Sequence, residues 1–120
     1  MIVEDNPQNM KLAAAVLEKS GYGVLKANDA DTGIMLARQE SPDIILMDVQ
    51  LPGMDGLTAT KLLKKESATK QIPIIALTAF AMKGDRERII AAGCDDYVSK
   101  PIRYKEFLET VQKWAPLDAD

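Results

Sequence analysis

The stretch I-I-L-M-D-V-Q-L-P-G-M-D-G occupies residues 44–56 and decides the fold. Its first four residues are apolar and predict a short strand that is buried on both faces, as in a parallel sheet. Asp48 closes that strand, and Asp55-Gly56 precedes a predicted helix. A buried strand, a loop and a helix in this order form the repeating unit of an α/β fold.

The same unit recurs from one end of the chain to the other. Strands are predicted at residues 1–3, 23–27, 44–47, 74–77 and 97–99. Helices are predicted from Asn6-Pro7 to Gly21, from Asp29 to about Glu40, after Asp55-Gly56, from about Asp85 to Ala92, and around Tyr104 to Trp114. This alternation predicts a flavodoxin-like (βα)5 three-layer sandwich with a parallel five-stranded sheet of order 2-1-3-4-5. We expect one domain over residues 1–120, with a core of about 1–114 and a short tail at 115–120.

The first predicted strand is short for its place inside the sheet. Only Met1, Ile2 and Val3 precede the polar residue Glu4, whereas strands typically run about five or six residues. We therefore expect that residues precede Met1 and that the first strand is truncated in this chain.

Composition and charge exclude several classes of function. The chain carries 15 Lys+Arg against 18 Asp+Glu, and its net charge of -3 provides no electrostatic footprint for nucleic acid. Its apolar runs are too short for a membrane span, and its first residues lack the layout of a signal peptide. With one Cys and no His, the usual zinc ligand sets are absent, and we expect a cytoplasmic protein. A bound metal would be a hard cation with oxygen ligands.

Polar side chains stand at the carboxyl ends of the predicted strands, where open α/β sheets bind their ligands. Strand one is followed by Glu4-Asp5, strand three ends at Asp48, strand four at Thr78 and strand five at Lys100. Because strands one and three are neighbours in the predicted order, three carboxylates share one crevice, and their repulsion would raise their pKa values. A divalent cation relieves this repulsion, and carboxylates with a backbone carbonyl and waters suit Mg²⁺.

Each of these residues also has an ordinary interpretation. Glu4 or Asp5 could serve a turn or a helix cap, a lone Thr78 indicates little, and a lysine such as Lys100 is usually solvated. Asp48 fits a capping role poorly, because it emerges from a fully apolar strand. The convergence of all five residues on one crevice is what indicates function.

The combined set is typical of phosphoryl transfer, which requires positioning and neutralisation of the phosphoryl oxygens. We expect Mg²⁺ held by Asp5 and Asp48 to neutralise one oxygen and the Lys100 ammonium to neutralise a second. The Thr78 hydroxyl and nearby backbone N–H groups would serve a third. Asp48 is the candidate nucleophile, because an ionised carboxylate forms an acyl phosphate without a general base.

Four motifs resemble those of response-regulator receiver domains and span nearly the whole chain: V-E-D-N at 3–6, I-L-M-D-V-Q-L-P-G-M-D-G at 45–56, A-L-T-A-F-A-M at 76–82 and Y-V-S-K-P-I at 97–102. The resemblance implies two-component signal transduction, in which Asp48 accepts a phosphoryl group from a histidine kinase or a histidine phosphotransfer protein. It implies a phosphoacceptor that assists its own phosphorylation and dephosphorylation, not a turnover enzyme. The stretch from Ala76 to Asp85 most resembles single-domain regulators of the DivK type.

The resemblance also implies roles for the residues of the crevice. Metal ligation falls to four groups: Glu4 through water, Asp5, Asp48 and the backbone carbonyl of Gln50. Thr78 and Lys100 would hold the phosphoryl oxygens, and the Lys100-Pro101 bond would be cis, at proline's modest penalty.

Four residues are expected to act in switching and in the lifetime of the acyl phosphate. Thr78 and Tyr97 move together in this family and remodel the surface of the fourth helix, fifth strand and fifth helix, where a downstream protein would bind. Without the resemblance, Tyr97 would be an edge-strand aromatic packed on the fifth helix. We expect Phe80 and Gln50 to tune the lifetime, because an apolar ring at Phe80 restricts the hydrolytic water. We expect a monomer or weak dimer, with no nucleic-acid or membrane partner.

Two alternative functions stay open, the receiver module of a hybrid sensor kinase and a docking module whose acidic pocket no longer takes phosphate. An aspartate-nucleophile phosphatase needs a second acid two residues after the nucleophile, where this chain has Gln50. A flavodoxin relative would have to place the phosphate of FMN in a mouth lined by carboxylates, without a Ser/Thr-rich loop to hold it. Both are therefore disfavoured.

Overall fold

Five strand-helix units follow one another in the structure, a computed structural model that describes residues 1–79 and 83–117. The strands are β1 (Ile2–Val3), β2 (Lys26–Ala27), β3 (Ile45–Asp48), β4 (Ile74–Thr78) and β5 (Asp96–Ser99). The helices are α1 (Pro7–Lys19), α2 (Ala30–Glu40), α3 (Gly56–Lys65), α4 (Lys83–Ala91) and α5 (Tyr104–Trp114). The predicted alternation of strands and helices is confirmed.

The sheet has the order β2-β1-β3-β4-β5, and every neighbouring pair is parallel, as predicted. The register pairs Val3 with Met47, Asp48 with Leu77, and Thr78 with Ser99. The carboxyl ends of β1, β3, β4 and β5 therefore meet along one edge of the sheet.

Most element boundaries lie within one residue of the predicted ones, and the starts of the second strand and the fourth helix differ by more. The second strand begins at Lys26 and not at Gly23, because its pairing with β1 begins where the Ile2 N–H donates to the Leu25 carbonyl at 2.9 Å. The fourth helix begins at Lys83, two residues before the predicted start at Asp85. Neither difference moves a residue of the predicted crevice.

The apolar side chains form two cores, one on each face of the sheet. Val3, Met47 and Ala76 point to one face and pack with residues of α2, α3 and α4. The alternate residues of the same strands pack with α1 and α5. This arrangement is the predicted three-layer sandwich. None of the helices in the described part of the chain has the length and apolar character that a membrane span requires.

The helix caps show which acidic side chains are engaged in capping and which are not. Asn6, Asp29 and Asp55 each accept hydrogen bonds from backbone N–H groups of the following helix, at 2.8 to 3.1 Å. Since Asn6 caps α1, Asp5 has no capping role there. Asp55, by contrast, is committed to the start of α3.

Gly56, the first residue of α3, lies against the backbone at the end of β3. A Cβ atom at Gly56 would stand 2.0 Å from the carbonyl oxygen of Asp48. The Gly56 N–H also donates to the Val49 carbonyl at 3.0 Å, and this hydrogen bond holds the start of α3 close to the end of β3. A side chain at this position would push the start of α3 away from Asp48.

We predict that Gly56→Ala lowers the free energy of unfolding by about 1–3 kcal/mol, the usual cost of overpacking. Gly84→Ala is the matched control, because Gly84 also lies in the first turn of a helix but a Cβ there meets no described atom within 4 Å. The control is expected to be neutral or to stabilise by up to about 1 kcal/mol. Urea unfolding measures both variants, and a wild-type midpoint for Gly56→Ala would contradict the prediction.

Cys94 is a buried thiol beyond the end of α4, with its Sγ 3.8 Å from Thr60 Oγ1. Burial raises the pKa of this thiol to about 11. At pH 8 only about one thiol in a thousand is then the reactive thiolate. We predict that a disulfide reagent labels native protein very slowly at pH 8 and labels guanidinium-unfolded protein at once. Equal rates in the two states would contradict this.

Candidate functional site

The strand register brings Glu4 next to Asp48. Val3 pairs with Met47, so the following residues, Glu4 and Asp48, stand side by side at the ends of β1 and β3. Both side chains are buried, with exposed fractions of 2% and 3%, and Thr78 at the end of β4 is equally buried at 3%. Asp5, one residue beyond Glu4, is exposed. The crevice is thus a buried polar floor with an acid at its open rim.

Three carboxylates meet in this crevice. Glu4, Asp5 and Asp48 each offer one oxygen, and these oxygens lie within 4.8 Å of one another. A group of hard oxygen donors this close together, with one member open to solvent, fits a Mg²⁺ ion that keeps several of its waters. The structure therefore brings together the predicted metal-binding side chains.

Lys100 joins two of these carboxylates. Its Nζ lies 3.0 Å from Asp48 Oδ2 and 3.1 Å from Glu4 Oε1. The backbone N–H of Lys100 donates to the Thr78 carbonyl at 2.7 Å. This bond extends the β4–β5 ladder by one residue and fixes the position of Lys100 beyond the end of β5. The next peptide bond, Lys100-Pro101, is cis.

Burial and neighbouring charges shift the titration of Glu4 and Lys100. Burial raises the pKa of Glu4, its hydrogen bond with Asp48 raises it further, and Lys100 only partly offsets the two. Burial alone would lower the pKa of Lys100, but its hydrogen bonds to Asp48 and Glu4 outweigh burial and raise it. The ammonium therefore stays charged at neutral pH, and one cation faces three carboxylates.

Both oxygens of Asp48 have partners that fix the carboxylate plane. Oδ1 accepts the backbone N–H of Gln50 at 3.0 Å, and Oδ2 pairs with Lys100. The Gln50 side chain is exposed beside this contact. Asp48 is thus held in one orientation by the loop that follows it and by a strand two places away.

Thr78 and Tyr97 lie on the same face of the sheet. Tyr97 is the register partner of Ala76, which points to the α2–α4 face, and Thr78 lies two residues further along β4. The Tyr97 ring is half-buried against that core, with the Arg86 guanidinium 5.5 Å from its centroid. The packing of Tyr97 on α5, expected without the resemblance, is therefore wrong: the alternation of β5 turns the ring toward α4. Phe80 lies outside the described residues.

Two residues near this site were not predicted from the sequence to have a role in it. Gly56 could have been found, because a glycine directly after a capping acid is an unusual choice for a helix start. Arg86 could not, because its charge matched the solvated mixed-charge pattern of its neighbours, and only the placement of α4 brings it over Tyr97.

Several known proteins are similar to this chain. The polar-differentiation response regulators DivK of Brucella anthropi and Brucella ovis are each 50% identical to it over 114 residues, which is 95% of this chain and 93% of theirs. The receiver domain of the sensor histidine kinase PA1611 from Pseudomonas aeruginosa PAO1 is 40% identical, with a TM-score of 0.87 and coverage of 94% and 93%. That crystal structure has a magnesium ion coordinated in the active-site cleft.

A more distant structure shows the same fold bound to a partner. The receiver domain of the response regulator Ssk1 from Saccharomyces cerevisiae, crystallised with the histidine phosphotransfer protein Ypd1, is 26% identical, with a TM-score of 0.86 and coverage of 94% and 85%. The sequence model of the family described as response regulator receiver domain matches residues 1–112 of this chain. With that match and the relatives of 50% identity, the chain belongs to the family of response-regulator receiver domains.

Proposed function

We propose that Asp48 is the residue that accepts the phosphoryl group, from the phosphohistidine of a histidine kinase or a histidine phosphotransfer protein. An Asp48 oxygen forms the new bond to phosphorus while the bond to the histidine nitrogen breaks. The electron pair of the broken bond stays on the imidazole. The observation that supports this is the orientation of Asp48 by Lys100 and the Gln50 N–H inside a crevice of carboxylates.

Lys100 and Thr78 are proposed to hold the transferred group. The Lys100 ammonium lies within 3.0 Å of Asp48 and can follow the charge onto a phosphoryl oxygen when Asp48 becomes an acyl phosphate. Thr78 ends the neighbouring strand β4 on the buried floor of the crevice, where its hydroxyl can donate to a second oxygen. Both groups are in place before the phosphoryl group arrives, so little reorganisation is needed.

The carboxylates of Glu4, Asp5 and Asp48, with the Gln50 carbonyl, are proposed to hold Mg²⁺, Glu4 acting through water. When bound, the cation supplies positive charge that offsets the carboxylates and the phosphoryl oxygens. Asp5 is suited to direct ligation because it is exposed at the rim, whereas Glu4 is buried and paired with Lys100. The chain itself contributes orientation and charge, and it is a phosphoacceptor that assists its own reactions rather than a turnover enzyme.

A cleft beside Lys100 is the proposed docking place of the phosphohistidine donor. It has a volume of about 430 Å³, lies between α1 and the segment from Lys100 to α5, and is lined by Leu12, Ala13, Pro101, Ile102 and Tyr104 among others. Leu12 and Tyr104 are exposed apolar groups at its rim. The Ssk1 complex shows that a receiver of this fold binds a histidine phosphotransfer protein.

The output is proposed to pass through the surface of α4, β5 and α5, with Thr78 and Tyr97 as the residues that report phosphorylation. Their shared face supports this, since a change at Thr78 meets the same layer of side chains that holds Tyr97. The higher identity to DivK regulators than to the PA1611 receiver favours a response regulator over the receiver module of a hybrid kinase.

We predict that the wild-type protein forms an adduct with beryllium fluoride in the presence of Mg²⁺ and is phosphorylated by a small phosphodonor, and that Asp48→Ala loses both. Asp55→Asn is the matched control, because Asp55 lies in the same stretch but caps α3, and asparagine keeps the capping oxygen. Fluorine NMR and intact mass measure the two adducts. A folded wild type that forms neither would favour the docking alternative, and labelling of Asp48→Ala would refute Asp48 as acceptor.

We predict that Phe80→Glu and Gln50→Asn shorten the half-life of the acyl phosphate severalfold, because each replaces a side chain that we expect to restrict the hydrolytic water. Loss of the phosphorylated form after removal of the donor, followed on a phosphate-affinity gel, measures the half-life. Gln71→Asn is a control, since the Gln71 amide donates to the Ala68 carbonyl before β4 begins, away from the carboxyl-end edge. Unchanged half-lives would show that neither residue tunes the lifetime.

A further inference from the structure

The first two residues of β5 attach different helices to the edge of the sheet. Asp96 Oδ2 accepts the indole N–H of Trp114, near the end of α5, at 2.9 Å. The next side chain, Tyr97, points to the opposite face, where the Arg86 guanidinium of α4 lies over its ring at 5.5 Å from the centroid. The start of β5 therefore makes a side-chain contact with each of α4 and α5.

The helix that carries Arg86 has few apolar anchors of its own. Among residues 84–91, whose burial the structure describes, only Ile89 is buried, and Ile90 is exposed. A helix with so narrow an apolar face gains little orientation from the core. The contact of Arg86 with Tyr97 then contributes more to the orientation of the helix and of the ring than it would in a helix with a broad apolar face.

The contact coexists with a crevice in which Lys100 is held by Asp48 and Glu4. That arrangement belongs to the site before phosphorylation, since a phosphoryl group on Asp48 would compete for the same ammonium. The Arg86–Tyr97 contact is therefore present in the unphosphorylated chain, together with this arrangement of the crevice.

We propose that Arg86 is a positioning residue that holds Tyr97 in the conformation preceding phosphorylation, and so sets how much free energy phosphorylation must supply to switch the surface. The proposal rests on the proposed function of Asp48 and adds the residue that regulates it. Removing the guanidinium should then make the phosphorylated conformation easier to reach. A cation over an aromatic ring at an exposed position changes a two-state equilibrium about two- to fivefold.

The test is a double-mutant cycle read by beryllium fluoride, which stands in for the phosphoryl group on Asp48. Fluorine NMR gives the half-saturating concentration, at fixed Mg²⁺, for wild type, Arg86→Met, Tyr97→Leu and the double variant. Arg86→Met keeps the apolar stem and removes the charge. Arg86→Lys retains a cation over the ring and tests rescue. Arg88→Met removes a charge from the same helix, where Arg88 pairs with Asp85 at 4.0 Å.

We expect Arg86→Met to lower the half-saturating concentration about two- to fivefold in the wild-type background and to have no effect with Tyr97→Leu. Arg86→Lys should restore at least half of the difference, and Arg88→Met should match wild type. An equal shift in both Tyr97 backgrounds, or the same shift in Arg88→Met, would overturn the proposal, because stability or net charge would explain it. A wild type without an adduct would instead overturn the function of Asp48, so the two failures are distinct.

Discussion

The double ion pair of Lys100 with Asp48 and Glu4 is the interaction on which the rest of the site depends. Three buried or rim carboxylates repel one another, and leaving them without a counter-charge would destabilise the fold or protonate one of them. Lys100 reaches them from β5, across β4, because its N–H extends the ladder at the Thr78 carbonyl. The same contact that stabilises the crevice therefore places a cation where it can neutralise a phosphoryl oxygen in the proposed transfer to Asp48.

The ion pair also explains why this crevice suits a reversible modification. One ammonium does not neutralise three carboxylates, so the crevice keeps a negative charge that the proposed Mg²⁺ would offset, with Asp5 as a ligand at the exposed rim. Asp48 is oriented by Lys100 and the Gln50 N–H, and Gly56 lets α3 lie against its backbone. Gly56 contacts the backbone of Asp48, whereas Lys100 and the Gln50 N–H contact its carboxylate, so changes at Gly56 and Asp48 are expected to act mainly on stability and on labelling, respectively.

Most of the fold and the crevice followed from local sequence patterns. The apolar run before Asp48 and the caps at Asn6, Asp29 and Asp55 located elements, and parallel register then required Glu4, Asp48, Thr78 and Lys100 to meet at one edge. Without the family resemblance, the face of the sheet predicted for Tyr97 was wrong. Strand β5 has only four residues, and the alternation of side chains over so short an edge strand cannot be recognised in the sequence. The contact of Arg86 depends on how α4 lies on the sheet, a tertiary property with no local signal.

The amino-terminal and carboxyl-terminal ends of the parallel strands are held very differently, and this difference bears on the proposed switch. At the amino-terminal edge, Lys64 Nζ pairs with Asp95 Oδ2 at 2.8 Å and donates to the Ile72 carbonyl at 2.8 Å, while the same Asp95 oxygen accepts the Ile74 N–H at 2.9 Å. These bonds join the end of α3 to the starts of β4 and β5. Beyond that anchor, α4 contributes one buried side chain among its residues 84–91 and a cation over Tyr97. Because rigid elements transmit a local change to the weakest neighbouring contact, a charge change at Asp48 should be relieved at α4 and Tyr97 before it disturbs the anchored edge.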